Sequence, residues 1–215
     1  MTVHRSSEER RQEIAEVALA LFGEVGFGGL TASAIARRIG VTDAALFRHF
    51  DTKDEILALA LDRAEAILFE GVQVAAEDPL ERLGQFFRAR VGRFREHPGV
   101  AKLVGSSQLA DAAPWAAERL DGFRQRSQRF VRTCLKEAGE TGVLRQDVGP
   151  RLAAVIVVGA LFALGQGDLA EAGGPTADEV WDALDRMLRA PTRKRRQRAG
   201  LLAPRAATRK KSRRR

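Results

Sequence analysis

Apolar residues recur every three or four positions along most of the chain, which is the spacing of one face of an α-helix. The first such stripe follows the capping-box pattern Ser6-x-x-Glu9, ends at Gly26, and consists of Ile14, Val17, Ala18, Leu21, Phe22 and Val25. Later stripes are separated by glycines, prolines and capping residues. No segment combines strand alternation with hairpin turns, so the pattern predicts an all-α fold of about nine helices.

Two short helices and then a long one are predicted after the first helix. Thr31 can cap the second helix, which Gly40 ends, and Thr42 or Asp43 can cap a third helix that reaches Phe50. Two short helices joined by a tight glycine turn are typical of a helix-turn-helix DNA-binding motif. The residues expected to hold them against the first helix are Ile35, Ile39, Val41, Leu46 and Phe50.

The six later helices are delimited by capping residues and prolines. They are a fourth helix opened by the capping box Thr52-x-x-Glu55, a fifth from Pro79 to the break at His97-Pro98-Gly99, a sixth near residues 100–110, a seventh over about 114–138, an eighth over about 150–169 and a ninth over 176–188.

Positive charge is concentrated at the end of the chain. Residues 191–215 contain twelve Arg and Lys and no Asp or Glu. The whole chain of 215 residues has 36 basic and 28 acidic residues, so residues 1–190 have 24 and 28, a net charge of −4. We expect residues 191–215 to be a basic, disordered tail, because so many like charges cannot bury enough apolar surface to fold.

Several classes of protein are disfavoured by the same sequence. A single cysteine, Cys134, allows no intrachain disulfide, and three scattered histidines do not suggest a metal site. There is no Gly-Lys pair for a phosphate-binding loop, so neither an enzyme nor a cofactor is expected. Residues 1–11 lack the pattern of a secretory signal, and the longest apolar stretch, residues 152–164, is shorter than the roughly 20 residues of a membrane span. These observations predict a cytoplasmic protein.

The outer face of the third helix has the chemistry of a DNA-recognition helix. Small side chains at its N-terminal end allow it to enter the major groove, where alanine methyls can contact thymine methyls. A polar cluster follows. The residues of this face are Thr42, Asp43, Ala44, Ala45, Phe47, Arg48 and His49.

This segment resembles the tetracycline-repressor (TetR) family of bacterial regulators over about the first 60 residues. The resemblance rests on Ile35-Ala36, Gly40-Val41, Leu46-Phe47-Arg48-His49-Phe50 and Lys53, with a weaker likeness at Gly142-Val143-Leu144-Arg145-Gln146-Asp147 before Pro150. It implies a three-helix DNA-binding domain at residues 1–52, and a helical effector-binding and dimerisation domain at residues 53–190. Phe47 stands where the family usually has tyrosine.

The resemblance also implies which residues contact DNA. Thr31, Thr42, His49 and Lys53 match phosphate-contacting positions, and Arg48, Asp43 and the two alanines are left to contact bases. The predicted DNA-binding set is Thr31, Ser33, Thr42, Asp43, Ala44, Ala45, Phe47, Arg48, His49 and Lys53. Alternatively, Thr31, Thr42 and Asp43 are helix caps only, and Arg48 and Lys53 are solvated charges. Residues 31–53 have a net charge of only +2, so charge alone does not identify this surface.

The later helices suggest a cavity and an interface. Aromatic residues between bundled helices predict an effector pocket formed by Phe87, Phe94, Trp115, Phe123 and Phe130, with plain core packing as the alternative. Residues 82–136 have twelve basic and four acidic residues, which either attract an anionic ligand or are solvated. The eighth helix is apolar around most of its circumference, and the resemblance implies a four-helix dimer contact with the ninth. The predicted interface residues are Val155, Val158, Phe162, Trp181, Leu184 and Leu188; the alternative is burial within one subunit.

Together these features predict a homodimeric, sequence-specific transcriptional regulator. We expect a repressor that binds a palindromic operator in double-stranded DNA and is released by a small molecule. The alternative is a ligand-independent DNA-organising protein with broad DNA binding. The tail is either an auxiliary DNA-binding arm or a charged end without a partner.

Overall fold

The computed structural model describes residues 7–46, 50, 52–166 and 173–191, and these residues form ten helices. They are α1 (Ser7–Gly29), α2 (Ala32–Ile39), α3 (Asp43–Leu46), α4 (Lys53–Phe69), α5 (Pro79–Glu96), α6 (Pro98–Gly105), α7 (Leu109–Ala112), α8 (Pro114–Glu140), α9 (Pro150–Gln166) and α10 (Ala177–Leu188). The all-α prediction is confirmed. The tenth helix is the single turn α7, which lies at the end of the segment predicted as the sixth helix. Within the described ranges, extended pairing is limited to one bridge between Leu144 and Arg189.

Several predicted caps and glycine breaks are present in the structure, but α1 continues to Gly29 instead of ending at Gly26. Gly26 has φ 71° and interrupts α1, and Gly40 has φ 74° and ends α2. Thr31 accepts a hydrogen bond from the third backbone amide after it, as does Thr52, and Pro79 begins α5. These ends depend on neighbouring residues alone, which is why the sequence pattern locates them.

Some predicted features lie outside the described residues. Ser6 of the first capping box is among them, as are residues 192–215 of the predicted tail. Among the helices that the structure describes, none is both long enough and apolar enough to cross a bilayer.

The first core cluster joins the N-terminal helices to the bundle, which is the name we use for α4–α10. Ile35, Leu46 and Phe50 are fully buried in it, and Ile39 and Val41 pack against it partly buried, as predicted. The same cluster continues into α4, α6, α7 and the first half of α8. The short helices α2 and α3 therefore pack on the same apolar core as the neighbouring helices of the bundle.

The second core cluster lies between α5, the second half of α8, α9 and α10, and it contains three of the residues predicted for the dimer interface. Trp181 is only 1% exposed within one chain, because its indole packs beside Gly84 and 5.4 Å from the ring of Phe87. Leu184 and Leu188 are buried in the same cluster. These three side chains are core within one chain, which favours the alternative of burial within one subunit for this part of the predicted interface.

Helix α1 is held between α4 and α6. The contact with α6 is close: a Cβ atom added to Gly99 would lie 2.0 Å from the carbonyl oxygen of Leu19. Lys102 of α6 also donates a hydrogen bond to the carbonyl of Gly23 in α1. Two bundle helices thus position the helix on which α2 and α3 rest.

Candidate nucleic-acid interface and bundle cavity

The turn between α2 and α3 is fixed by backbone hydrogen bonds. The amide of Gly40 donates to the carbonyl of Arg37, and the amide of Val41 donates to the carbonyl of Ala36 at 2.9 Å. This pair of bonds defines a Schellman motif, and the positive φ of Gly40 is the conformation it requires. Because α3 begins three residues after Gly40, its orientation against α2 is set by the motif.

Thr31 and Thr42 both act as helix caps. The side-chain oxygen of Thr31 accepts from the amide of Ala34 at 3.1 Å, and that of Thr42 accepts from the amide of Ala45 at 3.2 Å. Both residues are exposed. A hydroxyl has one donor as well as two acceptor sites, so capping leaves each O–H free to donate to a phosphate. The capping and DNA-contact interpretations are therefore compatible.

Asp43 has a different partner from the one that the sequence suggests. Its carboxylate accepts a hydrogen bond from the hydroxyl of Ser33, while Thr42 provides the cap of α3. The Ser33–Asp43 contact joins the first turn of α2 to the first turn of α3. Both residues are exposed, so this link lies on the outer surface of the motif.

The remaining DNA-contact candidates that the structure describes are exposed or half-buried. Ala44 is exposed and Ala45 is half-buried. Lys53, the first residue of α4, is exposed, and its Nζ lies 4.2 Å from the ring centroid of Phe27, a cation–π arrangement that positions the ammonium group. Three further candidates, Phe47, Arg48 and His49, lie outside the described residues.

One charged pair beside the motif was missed from the sequence. Arg38 of α2 binds Glu24 of α1 through two hydrogen bonds of 2.8 and 3.0 Å. The hydrogen bonds from Arg38 hold the pKa of the Glu24 carboxyl below its ordinary value. The two residues are fourteen positions apart, so no local pattern pairs them.

The predicted effector-pocket residues divide between two cavities and the core. Phe94 and Phe123 line a first cavity of about 310 Å³, and Phe130 lines a second cavity of about 380 Å³. Phe87 is buried against Trp181, and Trp115 packs on the first core cluster; neither lines these two cavities. For Phe87 and Trp115 the structure therefore favours the alternative of core packing.

A wider groove lies between α1 and α4 and has a volume of about 790 Å³. Its lining is dominated by carboxylates, namely those of Glu8, Glu9, Glu13, Glu16, Asp62 and Glu70. Because DNA phosphates and anionic ligands are repelled by such a lining, the groove is a poorer candidate for either ligand.

Arg90 of α5 is the residue that sequence analysis overlooked in the bundle. It is 5% exposed and lines both cavities, together with Leu68 of α4 and Ser127 of α8. The only sequence signal for it is its place within the cationic segment 82–136, one turn after Phe86. That segment is otherwise divided between ion pairs and exposed positions, so its charge does not single out one arginine.

A stripe of apolar side chains is exposed on α9 and α10. Val155 is 69% exposed and Phe162 is 59% exposed, so both remain candidates for the interface. Leu152 and Met187 are exposed to a similar degree and were missing from the prediction, while Val158 is partly buried. Leu152, Val155 and Phe162 are spaced three and seven residues apart, which places them on one face of α9.

The sequence is similar to those of known DNA-binding proteins. A family model for bacterial regulatory proteins, tetR family, matches residues 14–60. The nucleoid occlusion factor SlmA of Marinobacter nauticus is 27% identical over 191 residues, which are 80% of this chain and 96% of that protein.

Two solved structures have a similar fold. The ketosteroid transcriptional regulator KstR2 of Mycobacterium tuberculosis matches with a TM-score of 0.68 and 22% identity, over 88% of this chain and 98% of the other. AibR, in complex with isovaleryl coenzyme A and operator DNA, matches with a TM-score of 0.67 and 22% identity, over 83% and 97%. At these identities the likeness concerns the fold.

Proposed function

Because the chain belongs to the TetR family of bacterial regulatory proteins, we propose that it is a homodimeric, sequence-specific transcriptional repressor of the cytoplasm. The observation that carries this proposal is the position of α3. Leu46 and Phe50 are buried behind it, while Thr42, Asp43 and Ala44 are exposed at its first turn. A helix whose exposed N-terminal turn has small side chains can enter the major groove and contact base edges with that turn.

The proposed dimer is supported by the exposed face of α9. Large apolar side chains such as Val155 and Phe162 are rarely left together in water, and a second copy covers them most simply through a twofold axis. Two recognition helices related by that axis would meet successive major grooves about 34–36 Å apart. The operator is therefore expected to be palindromic.

The proposed release by an effector is supported by the lining of the first cavity. This cavity touches Leu68 of α4 and Val104 and Gly105 of α6, and both helices pack on α1. A molecule that fills the cavity better in one arrangement of α4 and α6 shifts the population toward that arrangement, by its difference in affinity. Because α1 carries α2 and α3, the shift changes the spacing of the two recognition helices in the dimer.

A second candidate is a DNA-organising protein that needs no effector. It is supported by the similarity to a protein named nucleoid occlusion factor over 80% of the chain. The two candidates differ in DNA selectivity and in ligand response, so one set of titrations separates them.

The test is a comparison of affinities on two duplexes. Duplexes that the purified protein selects from a random pool are expected to contain a palindrome, and to bind about a thousandfold or more tightly than a scrambled duplex at the same salt concentration. Fluorescence anisotropy measures both affinities, and sedimentation gives the oligomeric state. Equal affinity for the two duplexes would reject the regulator and favour the second candidate.

Deletion of residues 191–215 is expected to weaken binding to all duplexes alike. The twelve basic residues of this segment can neutralise phosphates without contacting bases, so their loss reduces the salt dependence of binding by about 0.9 in log–log slope per phosphate contact. Anisotropy titrations over a range of salt concentrations measure the slope. A variant with these residues changed to glutamine keeps the length and should behave like the deletion. An unchanged slope would mean that the tail takes no part.

A further inference from the structure

Arg90 is a buried cation with no ion-pair partner among the residues that the structure describes. Its side chain is 95% buried, since its exposed fraction is 5%, and its Nη2 atom has no hydrogen-bond partner within the part of the chain that the structure describes. A buried arginine in a folded protein normally has a carboxylate or a set of carbonyl oxygens around it. Arg90 therefore has a buried donor for which the described part of the protein supplies no acceptor.

The surroundings of Arg90 add to this imbalance. Its guanidinium carbon lies 4.8 Å from the ring centroid of Phe69 and 5.2 Å from that of Phe86, contacts that partly replace water but accept no hydrogen bond. Burial, with the positive charges of Arg93 and Arg126, lowers the pKa of Arg90 to about 10. At neutral pH the group is still charged.

The neighbouring arginines are already engaged, in contrast to Arg90. Arg93 donates to the carbonyls of Ile67 and Glu70 at the end of α4, and Arg126 lies 3.8 Å from the carboxylate of Glu65. Arg90 is thus the buried arginine of this cluster: it lines both cavities, and one of its donors has no partner among the described residues.

The lining of the first cavity indicates the chemistry of the rest of the ligand. Away from Arg90 its wall is largely apolar and includes Phe94, Phe123, Val131 and Leu161. The other cation of the lining, Arg124, is bound to Asp121 and to the carbonyl of Val104. Its volume of about 310 Å³ lies at the small end of ligand pockets, which run from about 300 to 1,000 Å³. An unpaired cation at one side of an apolar cavity fits a molecule with one anionic end and an apolar body.

We propose that the effector is a carboxylate with a medium-sized apolar body, bound with its carboxylate on Arg90 and its body in the first cavity. The inference rests on the proposed effector-controlled function. A carboxylate matches the fork of a guanidinium and carries a single charge, so the buried pair is neutral. A doubly charged phosphate would instead leave a net buried charge.

Binding of straight-chain carboxylates to the full-length protein tests the proposal. Calorimetric titration with hexanoate, octanoate, decanoate and dodecanoate is expected to show binding, and 1-octanol, which lacks the charge of octanoate, is expected to bind much more weakly. Arg90→Met should weaken octanoate binding by roughly ten- to a hundredfold, the effect of one hydrogen bond to a charged group. Arg90→Lys should retain part of the affinity.

The stability of the unliganded protein separates a ligand-binding role from a structural one. Methionine fills a similar apolar space without a charge, so Arg90→Met should raise the melting temperature of the free protein while reducing its stabilisation by octanoate. The matched control is Arg132→Met, since Arg132 is exposed on α8 and lines neither cavity. This control should bind octanoate as the wild type does.

The outcomes are distinct. The proposal is overturned if no carboxylate of the series binds, if octanol binds as well as octanoate, or if Arg90→Met lowers the melting temperature or binds octanoate as tightly as the wild type. If octanoate binds through Arg90 but leaves the affinity for DNA unchanged, the carboxylate site stands and the release mechanism of the proposed function fails.

Discussion

Replacing Ala44 with glutamate is expected to abolish sequence-specific DNA binding and to leave the fold intact. Ala44 is exposed in the first turn of α3, the part of the recognition helix that is proposed to enter the major groove. A carboxylate there faces phosphates and the acceptor atoms of guanine, and the juxtaposition of like charges costs several kcal/mol. Since about 1.4 kcal/mol corresponds to a tenfold change, the affinity should fall by about a hundredfold or more.

The measurement is an anisotropy titration of the selected operator, with circular dichroism to verify folding. Ala112→Glu is the matched control, because Ala112 is also exposed and helical but lies on α7 in the bundle. The control should bind the operator as the wild type does, so that a loss in Ala44→Glu is due to position rather than to net charge. Tight operator binding by Ala44→Glu would remove α3 from the proposed interface.

Local features of this protein follow from its sequence. The caps at Thr31, Thr42 and Thr52 and the glycine stop at Gly40 each depend on residues within one helical turn, and the structure has all four. The burial of the apolar residues in the helix-turn-helix could also be predicted, because apolar residues at helical spacing must face a core.

Features that depend on residues far apart in the sequence could not be predicted in the same way. An apolar stripe on α10 shows that Trp181 must be covered, but not whether a second subunit or α5 covers it. The deciding factor is Gly84, whose missing side chain leaves room for the indole. In the same way, an arginine-rich segment does not reveal that Arg90 is buried with a donor lacking a partner among the described residues, while Arg93 and Arg126 find carbonyls and a carboxylate on or near α4.

Replacing Gly99 with alanine is expected to cause the largest loss of stability. The new Cβ atom would lie 2.0 Å from the carbonyl oxygen of Leu19 and 2.7 Å from its carbonyl carbon, so α1 and α6 would have to separate. The clashing atoms are backbone and cannot rotate away, which places the effect at the upper end of overpacking, about 3 kcal/mol or more. For a chain of this length the melting temperature should fall by about 6–12 °C.

The matched control is Gly122→Ala in α8. Gly122 is exposed and nothing lies within 4 Å of its added Cβ, so alanine should stabilise the helix by up to about 1 kcal/mol. Thermal unfolding followed by circular dichroism compares the two variants. An unchanged or higher melting temperature for Gly99→Ala would show that α1 and α6 are not in close backbone contact. The route from the cavity through α6 to α1 would then lose its mechanical basis, because a ligand can move the recognition helices through that contact only if the two helices touch.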